Sequence, residues 1–258
     1  MTMRISAVIV TLILLAACSS PVPHAQPELI AHAGGEVDGF VYTNSREALE
    51  QSVAAGYRNI EFDLLFTADS ILVAAHSWQE FNEATGFAHK GDTAPQYADF
   101  ATRRIHGRYT PLSAAEINDF FMADTTLLLV TDKISSPAVL AANFPTLKER
   151  MMVEAFNYND YSILLSQGYY RVLYSCLATD LTAALVRHLL LHPLFKGPKI
   201  EWITMYAGEL DNPTFRIIDA LASFKMALFT INDYARMPQE KFRDINKVKM
   251  IYTDKLKP

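Results

Sequence analysis

The sequence predicts an α/β fold, a (β/α)8 TIM barrel with a hairpin arm after its second strand. Three observations predict it. Short apolar runs alternate with helix-patterned stretches over residues 29–258, the order of a parallel sheet covered by helices. One gap, between Asp63 and His76, holds only a polar turn centred near Asp69-Ser70. The two runs around it therefore form a hairpin with Asp63 opposite His76, and removing that arm from the nine runs leaves eight, the number that closes such a barrel. Polar residues also gather at the ends of the apolar runs, on the rim where barrels of this kind carry their sites. An open doubly wound sheet is the rival, but His32-Ala33-Gly34-Gly35 after the first run is not its Gly-rich phosphate turn.

Apolar runs of strand length are predicted as strands at Leu29–Ala33, Asn59–Leu65, Ile71–His76, Leu127–Asp132, Met151–Phe156, Tyr170–Ser175, Lys199–Met205, Lys225–Thr230 and Lys249–Thr253. Helical patterns fill most of the gaps, at Ser45–Ala55, Ser113–Met122, Ser136–Ala142, Tyr158–Gln167, Leu181–Leu191 and Pro213–Ser223. Gln79–Tyr109 stands apart: it is polar, contains Gly86, Gly91 and Gly107, and has no clear period. A segment that long inside a compact domain reads as a lid or a small insertion that governs the substrate.

Of the 258 residues, 50% are hydrophobic and 20% charged, with a net charge of −5. That composition excludes a disordered chain. Without a Lys/Arg run it also gives no footprint for nucleic acid, which is not expected as a partner. An anionic substrate would need positive charge supplied locally, by a metal or a few side chains.

The first residues read as an address. Arg4 precedes an uncharged stretch from Ile5 to Ala17, too short for the roughly 20 residues of a spanning helix and suited to a signal peptide over residues 1–17. Leu15-Ala16-Ala17-Cys18 is similar to the lipobox of bacterial lipoproteins. The expectation is a membrane-anchored lipoprotein, lipidated at Cys18 and exported to the periplasmic, outer-membrane or cell-surface side. Residues 18–28, with Pro21, Pro23 and Pro27, form an extended tether, and the barrel domain occupies 29–258. With Cys18 carrying lipid, Cys176 has no partner for a disulfide.

The chemistry-bearing residues stand at run ends: His32, Glu61 with Asp63, His76, and Asp132-Lys133. Glu61 and Asp63 are two apart on a strand and point the same way. Carboxylates side by side repel unless a cation or proton lies between them. With Asp132 from a neighbouring strand they offer three hard oxygen ligands for Mg²⁺ or Ca²⁺. Asp132 is alternatively a cap for the helix near Ser135. Glu154 is either a barrel-lumen carboxylate or an ion-paired core residue, and Glu201 beside Trp202 reads similarly. His188 and His192 read as one helix face rather than ligands, since the Glu of a His-Glu-x-x-His site is missing.

His32-Ala33-Gly34-Gly35, Tyr42-Thr43-Asn44-Ser45, Glu61-Phe62-Asp63, Ala75-His76, Thr230-Ile231-Asn232 and Tyr252-Thr253-Asp254 together resemble the motif series of glycerophosphodiester phosphodiesterases. The nearest likeness is to a bacterial subgroup related to phosphatidylinositol-specific phospholipase C-like domains. The resemblance implies a phosphoric diester hydrolase acting on a small-molecule or lipid phosphodiester. It implies His32 and His76 as general base and acid, Glu61, Asp63 and Asp132 as metal ligands, and Asn44 and Lys133 as groups that orient neighbours or phosphate. Three family positions differ: Ala33 stands for an Arg, Ser77 for an Asp, and Ile134 where a Lys is expected. Lys133 replaces the lost charge only if an irregular strand end turns it inward. Expulsion of a cyclic phosphate by internal attack, and a binding lipoprotein without catalysis, stay open beside hydrolysis.

Overall fold

The computed structural model describes residues 26–176, 188, 191–194, 196–233 and 247–258. The leader, most of the tether and nearly all of the expected helix Leu181–Leu191 lie outside the described residues. The strands are β1 (Glu28–Ala31), β2 (Asn59–Phe66), β3 (Leu72–Ala74), β4 (Leu128–Asp132), β5 (Met151–Ala155), β6 (Val172–Cys176), β7 (Trp202–Tyr206), β8 (Lys225–Phe229) and β9 (Val248–Thr253). All nine coincide with expected runs. β1 pairs in parallel with both β2 and β9, so eight strands close a parallel barrel and β3 alone lies outside it, antiparallel to the end of β2. The chain is thus a (β/α)8 TIM barrel with a hairpin arm.

The hairpin register differs from expectation by one residue. Leu64 pairs with Ala74 and Phe66 with Leu72, and the Ala75 amide donates to the Asp63 carbonyl at 2.9 Å. Asp63 therefore faces Ala75, not His76. The cause is the turn: Thr67 accepts from Ile71 N and its hydroxyl donates to Asp69, centring the reversal on Asp69 alone. His76 lies two residues beyond the end of β3, so the pleat does not set its direction.

Alternation along the strands makes two separate interiors. Ile60, Phe62 and Leu64 of β2 join the apolar layer between sheet and helices. Inside the barrel, Ile30, Val130, Met152, Leu173, Ala227, Met250 and Tyr252 form a second cluster. Glu61 and Asp63, on the opposite pleat from Phe62, point into the barrel above that apolar plug. Burying so large an aliphatic and aromatic layer, at about 25 cal/mol per Å², supplies the energy that tolerates charge in the lumen.

Among the described residues the α-helices are α1 (Arg46–Ala54), α2 (Trp78–Ala84), α3 (Tyr97–Thr102), α4 (Ala114–Ala123), α5 (Pro137–Asn143), α6 (Tyr158–Ser166) and α7 (Pro213–Leu221). Ser45 starts α1 by accepting from Ala48 N, and Ser113 starts α4 in a capping box with Glu116. The expected aperiodic stretch Gln79–Tyr109 holds more order than its pattern suggested. It carries most of α2 and all of α3, and Trp78, Phe81, Phe100, Ile105 and Tyr109 pack with Val37 and Val73 into a small core of their own. Both helices are too short to show a 3.6-residue period, which is why the sequence reads as irregular.

Candidate active site

A cleft of about 460 Å³ opens at the C-terminal rim, lined by His32, Tyr42, Glu61, Asp63, His76, Asp132 and Lys133 among others. Every sequence-predicted site residue except Asn44 lines it, and Asn44 lies directly behind Asp63. One oxygen each from Glu61, Asp63 and Asp132 lies within 4.8 Å of the others. The two strands are in register here, Asp63 pairing with Asp132, so parallel neighbours deliver both carboxylates at one height.

The turn after β1 builds the floor. His32–Gly34 form one 3-10 turn with Ala33 at φ 50°, and the Ala33 amide donates to Glu61 Oε2 at 2.7 Å. Where the resemblance leads one to expect an arginine, Ala33 brings no side-chain cation to the cleft. Gly35 at φ 94° lets the chain pass Ser52, whose hydroxyl donates to the Gly34 carbonyl. A β-carbon on Gly35 would lie 2.1 Å from Ser52 Oγ.

Asn44 grips Asp63 twice. Its amide donates to Asp63 Oδ2 at 3.0 Å, and its Oδ1 accepts from Asp63 N at 3.1 Å. To do so Asn44 adopts φ 48°, a left-handed conformation that asparagine tolerates better than most residues. Tyr42 and Lys133 share that region, at φ 57° and 66°. Left-handed backbone at a non-Gly residue costs about 1–3 kcal/mol. At Lys133 the chain leaves the strand and aims Nζ back into the cleft, 3.5 Å from Asp63 Oδ1. Ile134 instead packs on the outer apolar layer. Asp132 does not cap α5, whose N-cap is Ser136; its Oδ1 accepts from Lys133 N and its side chain stays with the cluster.

The electrostatics follow from this crowding. Burial, then the charges of Asp63 and Asp132, pushes the Glu61 carboxyl well above its usual range. Asp132 is raised by burial and by Asp63. Glu154 lines the lumen below and accepts from Tyr252 Oη at 2.5 Å. Burial, with Asp132 adding to it, pushes Glu154 up to about 8, so it holds a proton at neutral pH. Glu201, by contrast, is exposed and contributes nothing to the cleft. Glu61 Oε1 is buried with no hydrogen-bond partner. An orphaned buried carboxylate oxygen aimed at two other acidic groups fits a hard divalent cation, which prefers oxygen donors.

Each histidine has a carboxylate on Nδ1. His32 Nδ1 lies 3.0 Å from Asp254 Oδ1, and Asp254 is held by Asn232 through its amide (2.7 Å) and its own backbone N–H (2.7 Å). His76 Nδ1 lies 2.6 Å from Glu80 Oε2. Tyr42 stands between the rings, 4.6 Å from His32 and 5.0 Å from His76 by centroids. Burial, then Asp254, pushes its phenol up to about 12, so it stays protonated. Sequence reasoning gave no role to Tyr42, Glu80, Asn232 or Asp254. Asp254 follows a strand end as Asp132 closes one, and the same rim argument would have found it. His188 stacks on Tyr158 at 3.3 Å and His192 Nε2 lies 3.2 Å from the Gly197 carbonyl, both away from the cleft.

Fold and rim define the class: a TIM-barrel enzyme whose site is built from the C-terminal ends of parallel strands. The model of the glycerophosphoryl diester phosphodiesterase family matches residues 32–187, and the chain belongs to that family, one of phosphoric diester hydrolases. No curated protein matches the chain significantly in sequence. Among solved structures it is similar to a glycerophosphodiester phosphodiesterase of Parabacteroides distasonis (17% identity, 88% of this chain and 92% of that one, TM-score 0.62). A phosphodiesterase of Oleispira antarctica, solved with the product sn-glycerol-3-phosphate, is 18% identical over 88% of this chain and 93% of its own, with TM-score 0.61. A Thermotoga maritima glycerophosphodiester phosphodiesterase is 14% identical over 90% and 96%, with TM-score 0.60.

Proposed function

We propose that this chain hydrolyses a glycerophosphodiester or a lipid head-group diester with a divalent cation, Mg²⁺ or Ca²⁺. Glu61, Asp63 and Asp132 would hold the ion and His32 and His76 act as the proton-transfer pair. The observation that carries the reading is convergence: both imidazoles and three carboxylates, drawn from β1, β2, the hairpin arm and β4, line one cleft. The sn-glycerol-3-phosphate bound to the Oleispira antarctica relative supports a glycerol-bearing diester. Bound there, the cation would act as a Lewis acid that neutralises the phosphate oxygens.

The chain's own residues do the rest. Lys133 presents a cation to the phosphate from the Asp63 side, and Asn44 keeps Asp63 turned into the cleft. One histidine accepts the proton of the attacking hydroxyl, from water or an adjacent substrate group. The other donates a proton to the departing alkoxide as its P–O bond breaks. Imidazole suits both roles near neutrality, and each such transfer is worth about 10²–10⁴ in rate. A second recess of about 620 Å³, walled by Phe81, Ala84, Ile105 and His106, adjoins the cleft through Tyr42 and His76. In this reading it would seat the departing alcohol, which supports a role for the Gln79–Tyr109 segment in substrate choice.

We place the protein on a membrane surface through lipid on Cys18 after loss of residues 1–17. Among the described residues no helix is long and apolar enough to cross a membrane. Mass spectrometry of the mature N-terminus tests the anchor, and an uncut or unacylated chain refutes it. Release of alcohol from a panel of diesters, with Mg²⁺ or Ca²⁺ and with chelator, tests the chemistry. Phosphorus NMR of the product separates a phosphomonoester from a cyclic phosphate. If no diester gives chelator-sensitive release, the catalytic reading fails and the binding alternative is favoured.

A further inference from the structure

We infer that Glu80 is a positioning residue for His76, and that Ser77 builds the turn that delivers it. The inference rests on the reading of His76 as a proton-transfer group. Ser77, extended at φ −151°, accepts from Glu80 N at 3.1 Å and so starts α2 at Trp78. That turn brings residue 80 back over residue 76, and its Oε2 meets His76 Nδ1 at 2.6 Å.

The contrast with α4 shows that this is not ordinary capping. There the acid at the same helix position, Glu116, reaches back to the backbone N–H of its cap Ser113. Glu80 occupies the equivalent place after Ser77 and turns to the imidazole instead. A carboxylate accepting the Nδ1 proton fixes the tautomer and leaves Nε2, the opposite edge of the ring, for the reacting oxygen. His32 obtains the same service from Asp254, 222 residues away. Ser77 stands where the resemblance leads one to expect an aspartate, and the Ser77-capped turn supplies a carboxylate from one turn further along.

The two dyads differ in setting. Side chains of His32 and Asp254 are 13% and 5% exposed, those of His76 and Glu80 34% and 55%. An ion pair that open adds little to stability, so removing Glu80 should alter turnover without altering Tm.

The test compares wild type, Glu80→Ala and Glu80→Gln by steady-state kinetics on the best diester and by ¹⁵N NMR of the His76 ring in its neutral form. Glu80→Ala is expected to lose about 10- to 100-fold in kcat, by analogy with the cost of removing the orienting partner of a metal-bound imidazole. KM should stay within about twofold and Tm should not move, as befits a role in orientation. The ring should pass from the Nδ1–H to the Nε2–H tautomer, and Glu80→Gln, which keeps an acceptor, should recover part of both. Unchanged ring signals in Glu80→Ala overturn the inference, and so does a changed tautomer with unchanged kcat. Should wild type release no alcohol at all, the proposed function fails separately, while a missing tautomer change still sinks the lock.

Discussion

Glu154 is the residue whose protonation most directly reports the lumen. Its carboxyl is fully buried, accepts from Tyr252, and is pushed from the ordinary 4.5 up to about 8. Glu154→Gln replaces the protonated acid with a neutral group of the same shape. Below pH 4.5 both folded and unfolded wild type hold the proton, and the two proteins should differ little. Between 4.5 and 8 the unfolded chain ionises and the folded one does not, so wild type loses stability relative to the variant as pH rises. The slope is about 1.4 kcal/mol per pH unit, so from pH 5 to pH 7 the gap should widen by up to about 2.7 kcal/mol. Above pH 8 both states ionise and the gap becomes constant. In a domain of this size that is a shift in relative Tm of roughly 5–10 °C. Thermal melts in chelator from pH 5 to 9 read it. A gap that stays flat, or that narrows as pH rises, refutes the account of a protonated Glu154.

Three further outcomes follow from the cleft and its floor. Asp132→Asn should raise the Tm of the metal-free protein, since it removes one of three crowded acids. It should also abolish the stabilisation by divalent cation, which at 100-fold over Kd amounts to about 2.7 kcal/mol in wild type; melts with and without Mg²⁺ or Ca²⁺ check both signs. His32→Ala and His76→Ala should each cost about 10²–10⁴ in turnover while cation affinity, read by calorimetry, stays unchanged; normal turnover in either removes that residue from proton transfer. Gly35→Ala should destabilise by about 1–3 kcal/mol, because its β-carbon would collide with Ser52 Oγ and φ 94° is strained for alanine. Chemical denaturation measures it, and a neutral result would mean that the turn after β1 yields freely.

The barrel was legible because its signal is local. Each strand is a short apolar run, and closure followed from counting them. The hairpin register was off by one because a turn's hydrogen bonds, here those of Thr67, are not a matter of hydropathy. Glu61, Asp63 and Asp132 could be paired from the sequence since parallel neighbours in register bring strand ends together. The pairings of the orienting groups were not legible, although Asp254 itself stands at a strand end and in the last motif. Nothing local joins Asp254 to His32, and Glu80 was hidden in a helix of seven residues that shows no period. Lys133 illustrates the boundary between the two: its charge was visible, but only the left-handed backbone at that residue turns it toward Asp63.

The entry point of β1 has a consequence for what the enzyme can reach. The chain arrives at Glu28, beside a recess of 440 Å³ bounded by Gln26, Pro27, Trp202 and Lys225, at the pole of the barrel remote from the catalytic mouth. A leash of ten residues from Cys18 to Glu28 spans at most about 33–36 Å. Were Cys18 lipidated as proposed above, a leash that short, attached at the pole opposite the mouth, would leave the mouth facing the aqueous space. Under that proposal a deacylated, freely diffusing diester would reach the mouth more readily than an intact phospholipid of the same leaflet, and the diester panel separates the two.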